Sequence, residues 1–322
     1  MPSLALAIIT RNEGPHLGAF LSRMADLVDE IVIVDTGSTD NTHDALMPLL
    51  RVLPIRIVFS TRTWDDDFAA ARNASLEQVA SDWIFVMDPD EYLDPVDFQL
   101  IHRSIGSVGV WKVDGYRMTT LNFTDIPDLH NAKDVRFIDE HRAPSSVALE
   151  RRYGAGHNLS HYFESHKTRL FRNNPRYRFE GRIHELIDMS IAKAGGRIAD
   201  MHEPRILHTV TRAEQEAKEP MYRRIAMIQA GEEPDNAFAQ YYAGLANVDC
   251  DPPTAEQYFR VALRIKPTHF RALYNYGILL KKARRWVEAF AMFKRALDVK
   301  PGDRATKHNA GLAWDEMKGV GM

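Results

Sequence analysis

Three apolar runs dominate the first third of the chain: Leu4-Ala-Leu-Ala-Ile-Ile9, Glu30-Ile-Val-Ile-Val34 and Trp83-Ile-Phe-Val-Met87. Runs without polar alternation predict strands buried on both faces. Between the first two, Leu17, Phe20, Leu21, Met24 and Leu27 recur at helical spacing over residues 15–29. The order strand, helix, strand, helix, strand predicts a mostly parallel sheet with helices on both faces. Each run breaks into a polar loop: Thr10-Arg-Asn-Glu-Gly14, Asp35-Thr-Gly-Ser-Thr-Asp-Asn-Thr42 and Asp88-Pro-Asp-Glu91. Ligands of such sheets bind outside the carboxyl ends of the strands, which is where all three loops fall.

The third loop carries the first chemical signal. Asp88, Asp90 and Glu91 offer oxygen ligands on neighbouring side chains, a set suited to Mg²⁺ or Mn²⁺, which in turn grips a diphosphate. The same cluster also suits a solvated turn, with Asp94-Pro95 capping a following helix.

Four runs in order, Ile9-Thr-Arg-Asn-Glu13, Val34-Asp-Thr-Gly-Ser-Thr-Asp-Asn-Thr42, Phe68-Ala-Ala-Ala-Arg-Asn73 and Trp83-Ile-Phe-Val-Met-Asp-Pro-Asp-Glu91, resemble the nucleotide-sugar half of family-2 glycosyltransferases with a GT-A fold. The resemblance implies an α/β domain with a Rossmann-like mixed sheet, a nucleotide-sugar donor and a Mn²⁺ or Mg²⁺ cofactor. It departs from the usual pattern at Pro89, where a small residue is common; proline fixes φ and removes an N–H. By the resemblance, Thr10, Arg11, Asn12 and Glu13, with Asp35 and Ser38, hold the base and ribose. Asp88 reaches ribose or metal, Asp90 binds the metal, and Arg72 covers the diphosphate. Each has a competing role: Asp35 shaping a turn, Asp40 capping a helix, and Arg72 pairing with Asp66 or Asp67 on a surface helix.

Residues 122–167 show little periodicity and scatter five histidines, His130, His141, His157, His161 and His166. The stretch reads as an acceptor-side insert or lid, and none of the five is given a role. From Lys167 to Glu185, arginines and aromatics alternate about a turn at Asn173-Asn174-Pro175, predicting two short strands and a local phosphate or acceptor contact. Its end, Phe179-Glu-Gly-Arg-Ile-His-Glu185, resembles a motif of the transferase subgroup with C-terminal helical repeats, which includes peptide S- and O-glycosyltransferases. The family pattern puts His184 and Glu185 near the reaction centre. An inverting transferase needs a carboxylate to take the acceptor proton, and Glu185 is the first candidate, Glu180 the second. His184 or His208 either completes the metal shell or is a hydrogen-bonded core histidine.

Beyond residue 210 the pattern changes. Pro267 and Pro301, Phe259 and Phe293, Ala262 and Ala296, Asn275 and Asn309, and Gly277 and Gly311 are each 34 apart. That is the tetratricopeptide period, with helices in pairs and a proline at the end of a unit. The expected organisation is a catalytic domain over 1–210, a helical linker over 211–235 and an all-α repeat domain of about two and a half units over 236–322. Tyr241, Tyr242, Tyr274, Tyr276 and Trp286 either pack between helices or form a peptide groove or dimer face. So short an array needs a partner surface, and a homodimer through the repeats is the favoured arrangement.

Composition narrows the partners. With 41 basic and 44 acidic residues the formal charge is −3, which removes a global nucleic-acid footprint. The apolar run at Leu4 is too short to span a membrane and carries no cleavage pattern; no other span is read. The single cysteine, Cys250, excludes an intrachain disulfide framework, so the expected compartment is the cytoplasm. The function expected is a metal-dependent, inverting hexosyltransferase using a UDP-sugar. Its acceptor is a peptide or protein side chain ahead of a glycan or a modified nucleic-acid base. A scaffold that only binds partners, and a sugar nucleotidyltransferase, are the alternatives; the latter lacks a Gly-rich basic loop after the first strand.

Overall fold

The computed structural model describes residues 1–106, 113–126, 136–137, 159 and 161–319. The chain divides into two compact units, residues 1–217 and 218–322.

The first unit is built on β1 (Leu4–Thr10), α1 (Gly14–Met24), β2 (Glu30–Asp35), α2 (Thr42–Val52), β3 (Arg56–Thr61), α3 (Phe68–Leu76), β4 (Trp83–Val86), α4 (Phe98–Gly106), β5 (Gly115–Thr124), β6 (Arg136–Phe137), β7 (His161–Arg172), α5 (Asp188–Lys193) and β8 (Ile198–Val210). The sheet order is β3-β2-β1-β4-β7-β5-β8, with β6 beside β7. β3, β2, β1 and β4 run parallel; β7 is antiparallel to both β4 and β5, and β8 is parallel to β5.

The unbroken apolar runs are explained by two cores. Leu4, Leu6, Ile8, Trp83 and Phe85 pack with Leu17, Phe20, Leu21 and Met24 of α1 on one face. Ala7, Ile84 and Val86 pack with Ala69 and Leu76 of α3 on the other. Successive side chains of one strand therefore enter different cores, and no position is left for a polar residue.

Three features differ from the sequence expectation. β3 is an additional edge strand, only partly buried, so its residues lack the uniform apolar character of a central strand. Of the expected irregular insert, Asn122–Thr124 belongs to β5 and His161–Lys167 to β7, and most of the remainder lies outside the described residues. After the turn at Asn174, the second short strand does not form a ladder: Asn73 clamps the backbone of Phe179, donating from Nδ2 to its carbonyl (3.0 Å) and accepting its N–H at Oδ1 (2.8 Å). A side chain has taken the bonds a neighbouring strand would use.

In the second unit, α6 (Arg212–Glu232), which starts in the first unit, is followed by α7 (Ala237–Asn247), α8 (Pro252–Ile265), α9 (Phe270–Lys282), α10 (Trp286–Val299) and α11 (Arg304–Gly319). The pairs α7/α8 and α9/α10 repeat the same contact. Phe259 and Phe293 are fully buried against Gly244 and Gly277, where an added Cβ would come within 2.8 and 2.6 Å of the ring. Tyr241 and Tyr276 are buried in the repeat core, and Tyr242, Tyr274 and Trp286 are partly buried against that core. Among the described residues no helix is long and apolar enough to cross a membrane.

The helix caps repeat as well, as Asn236, His269 and Asp303. His269 accepts the N–H of Ala272 at Nδ1 (3.1 Å), and burial pushes its pKa down to about 4. A neutral imidazole is therefore part of the native cap. Its contribution is complete above the unfolded value of about 6.5 and is lost as pH falls towards 4. In helical melts of the intact chain, His269→Asp is expected to reduce the loss of stability between pH 7 and 5, because a carboxylate caps as Asp303 does. An unchanged pH dependence would show that His269 does not carry it.

Candidate functional site

The first two loops at the carboxyl edge are laced into one structure. Thr36 donates its N–H to the Thr10 carbonyl (2.9 Å), and Asn12 donates its N–H to Ser38 Oγ (2.9 Å). Thr39 N–H returns to Asn12 Oδ1 (2.8 Å), Glu13 N–H goes to Thr42 Oγ1 (2.8 Å), and Gly14 N–H to Asp40 Oδ2 (3.1 Å). The approach is so close that a Cβ on Gly14 would meet the Asn41 side chain at 2.1 Å. Asn12 holds φ at 58°, a left-handed conformation that asparagine tolerates better than most residues. Asp35 is buried and accepts the N–H groups of Gly37 and Ser38 at Oδ1 (both 2.8 Å), so it shapes the turn with one oxygen. Thr10, Asn12, Glu13, Asp35 and Ser38 are thus gathered in one double loop, with Arg11 exposed beside them.

The third loop meets α3. Asp67 caps that helix by accepting the Ala70 N–H (2.8 Å), and Asp66 accepts Trp64 Nε1–H (2.9 Å). Neither pairs with Arg72 in the surface arrangement weighed from sequence. Arg72 is 6% exposed and bridges two carboxylates, donating Nε–H to Glu185 (2.7 Å) and Nη2–H to Asp88 (3.0 Å). Its Nη1 is buried with no hydrogen-bond partner among the described residues. Arg169 of β7 adds a second cation, bonded to Glu91 (2.5 Å) and 3.9 Å from Asp88. Glu91 in turn accepts the Asp88 N–H (2.9 Å).

These contacts set the charges. Burial pushes Asp88 upward, but Arg72 and Arg169 outweigh it and hold the carboxylate far below the usual range. Glu185 follows the same balance: burial raises it, Arg72 and Lys167 lower it more, and it stays ionised. In Glu91, burial prevails over Arg169 and the pKa is raised.

On the far side of the loop, His208 Nε2 lies 3.5 Å from Asp90 Oδ2. Its Nδ1 is 3.0 Å from Asn122 Oδ1, its register partner on β5, while Asn122 Nδ2–H donates to Ser165 Oγ (3.0 Å). The amide orientation makes Nδ1 the donor to Asn122 and leaves Nε2 facing Asp90. Burial lowers the pKa of His208, but Asp90 and Glu91 raise it more. Among the described residues, no three His, Cys, Asp or Glu side chains converge on one point.

The remaining candidates lie apart. Glu180 is 45% exposed and held by Lys193 (2.8 Å), and its backbone pairs with Leu186. His184 is exposed with φ at 55°. Lys167, Arg169 and Asn122 lie at the site but were not assigned from sequence, and Glu91, read there as a metal oxygen, is instead engaged by Arg169 and the Asp88 N–H. The available signal was the two-residue spacing of Lys167 and Arg169, which puts both on one face of a strand.

The family model for glycosyl transferase family 2 matches residues 5–106. A TPR repeat-containing protein of Synechococcus elongatus is 28% identical over 191 residues, which is 59% of this chain and 37% of that protein. The SPbeta prophage-derived glycosyltransferase SunS of Bacillus subtilis is 32% identical over 89 residues, 28% of this chain and 20% of SunS. The chain therefore spans well under half the length of these curated relatives. Among solved structures, S. aureus TarS in complex with UDP aligns with 98% of this chain and 88% of its own at 12% identity and a TM-score of 0.44.

Proposed function

We propose that this chain, which carries a family-2 glycosyl transferase domain over residues 5–106, is a metal-dependent inverting glycosyltransferase that uses a UDP-sugar. The observation that carries the proposal is Arg72, a buried guanidinium shared by Asp88 and Glu185 with one N–H group still to be satisfied. A diphosphate oxygen completes that donor, and a planar fork suits the negative charge that grows on a departing nucleotide.

Asp90 and His208 fit a divalent cation. They offer a carboxylate oxygen and an imidazole nitrogen whose ring is pinned by Asn122, leaving other positions for diphosphate oxygens and water. When bound, Mn²⁺ or Mg²⁺ supplies charge to neutralise the leaving diphosphate. The double loop from Thr10 to Ser38 holds base and ribose. Glu185, kept ionised by Arg72 and Lys167, accepts the proton of the acceptor as it attacks the anomeric carbon from the face opposite the nucleotide. A peptide or protein side chain is the acceptor class we favour over a glycan or a base.

A thermal-shift panel of nucleotides and nucleotide sugars with and without Mn²⁺ tests this. A ligand at 100 times its Kd stabilises the native state by about 2.7 kcal/mol. The expected result is a rise with UDP or a UDP-sugar that increases with Mn²⁺, and loss of the metal-dependent increment in Asp90→Ala. No rise with any nucleotide would overturn the assignment; an increment unchanged by Asp90→Ala would remove Asp90 from the metal.

A further inference from the structure

Four buried polar atoms without a partner among the described residues belong to residues lining a single cavity: Arg72 Nη1, Thr168 Oγ1, Arg169 Nε and Asp188 Oδ2. Arg72, Thr168 and Arg169 are 6%, 4% and 6% exposed. Buried donors and acceptors are normally satisfied; with Arg72 Nη1 taken by the diphosphate, the other three around the cavity point to a guest that completes them. Asp188, the first residue of α5, is not idle: its Oδ1 is held by Arg117 Nη2–H (3.1 Å), whose Nη1–H reaches Asp200 (3.1 Å). That tie fixes the carboxylate and leaves Oδ2 for the cavity.

Charge selects the guest. An anion entering the cavity would meet Asp188 and Glu185, and a cation would meet Arg72, Arg169 and Lys167. A neutral hydroxyl satisfies both walls: its oxygen accepts from Arg169 Nε–H, its hydrogen goes to Asp188 Oδ2, and Thr168 Oγ1 serves in either sense. The cavity shares Arg72 and Glu185 with the reaction centre, where the hydroxyl-rich part of the donor is its sugar.

We propose that this cavity receives one hydroxyl of the transferred sugar, with Asp188 and Thr168 as the specificity-determining pair. This rests on the donor assignment made above. Asp188→Asn keeps an oxygen for Arg117, and Thr168→Val keeps the shape while removing the hydroxyl. Affinities of the intact chain are measured for UDP and for UDP-glucose, UDP-galactose and UDP-N-acetylglucosamine, all with Mn²⁺. Either variant is expected to weaken the sugar nucleotide that wild type prefers by about tenfold, with UDP alone unchanged and Thr168→Ser close to wild type. Wild-type affinity for the sugar nucleotide in both variants would overturn the proposal and leave the cavity to water. Parallel loss of UDP binding would also overturn it, marking a structural role. Absence of UDP and sugar-nucleotide binding in wild type would instead overturn the donor assignment and, with it, this subsite.

Discussion

Replacing Arg72 with methionine is expected to cost about 3 kcal/mol of stability at neutral pH and to abolish UDP-dependent stabilisation. Arg72 is the buried partner of Glu185, whose side chain is 9% exposed, and of Asp88, whose side chain is 33% exposed. Asp88 keeps water and Arg169, so most of the cost arises at Glu185. The pH dependence gives the test its sign. In wild type both carboxylates titrate below their unfolded values, so the stability they contribute is present above about pH 4 and is lost as pH falls. Without Arg72, burial governs Glu185 and its folded value rises above the unfolded one. The variant then loses stability as pH rises through roughly 4.3, and the gap to wild type narrows in acid. Urea denaturation at pH 7 and pH 4 measures both arms. Arg72→Lys should fall between, since an ammonium keeps the charge but cannot offer two separate edges to two carboxylates. A gap that is constant with pH would show that the lost stability is packing and not charge.

What was legible in the sequence follows from the range of the interaction involved. β1, β2 and β4 announce themselves because burial on two faces is written in consecutive residues, and the repeat unit because Phe259 and Phe293 each meet a glycine, Gly244 and Gly277, at equivalent positions. β3 was silent because an edge strand needs only a partly apolar face. Arg72 and Asp88 were singled out through local motifs, and the fold brings them together. Arg169 was missed because its partner Glu91 lies 78 residues away, brought near only by the antiparallel pairing of β4 with β7. Asn122 was missed for the same kind of reason: its value lies in its register with His208 across β5 and β8. Neither pairing can be read from spacing, since both depend on a strand order that the sequence does not state.

Glu180 and Glu185 put that limit to its sharpest use, because one motif holds both and their surroundings have nothing in common. Gly181 at φ 96° and His184 at φ 55° turn the chain between them, so Glu180 stays with Lys193 at the surface while Glu185 is carried inward to Arg72. If Glu185 is the base, Glu185→Gln should lower transfer by about 10³ while UDP with Mn²⁺ still stabilises the protein, because glutamine keeps an oxygen for Arg72 and loses only the proton acceptor. Glu180→Gln should leave both properties near wild type, since an exposed carboxylate paired with a lysine contributes little. The rates are compared under saturating donor, so that a binding defect is not counted as a chemical one. The reverse pattern, with transfer lost in Glu180→Gln and kept in Glu185→Gln, would move the base to the surface turn. Arg72 and Glu185 would then be a fixed ion pair whose role is to hold the donor pocket in shape.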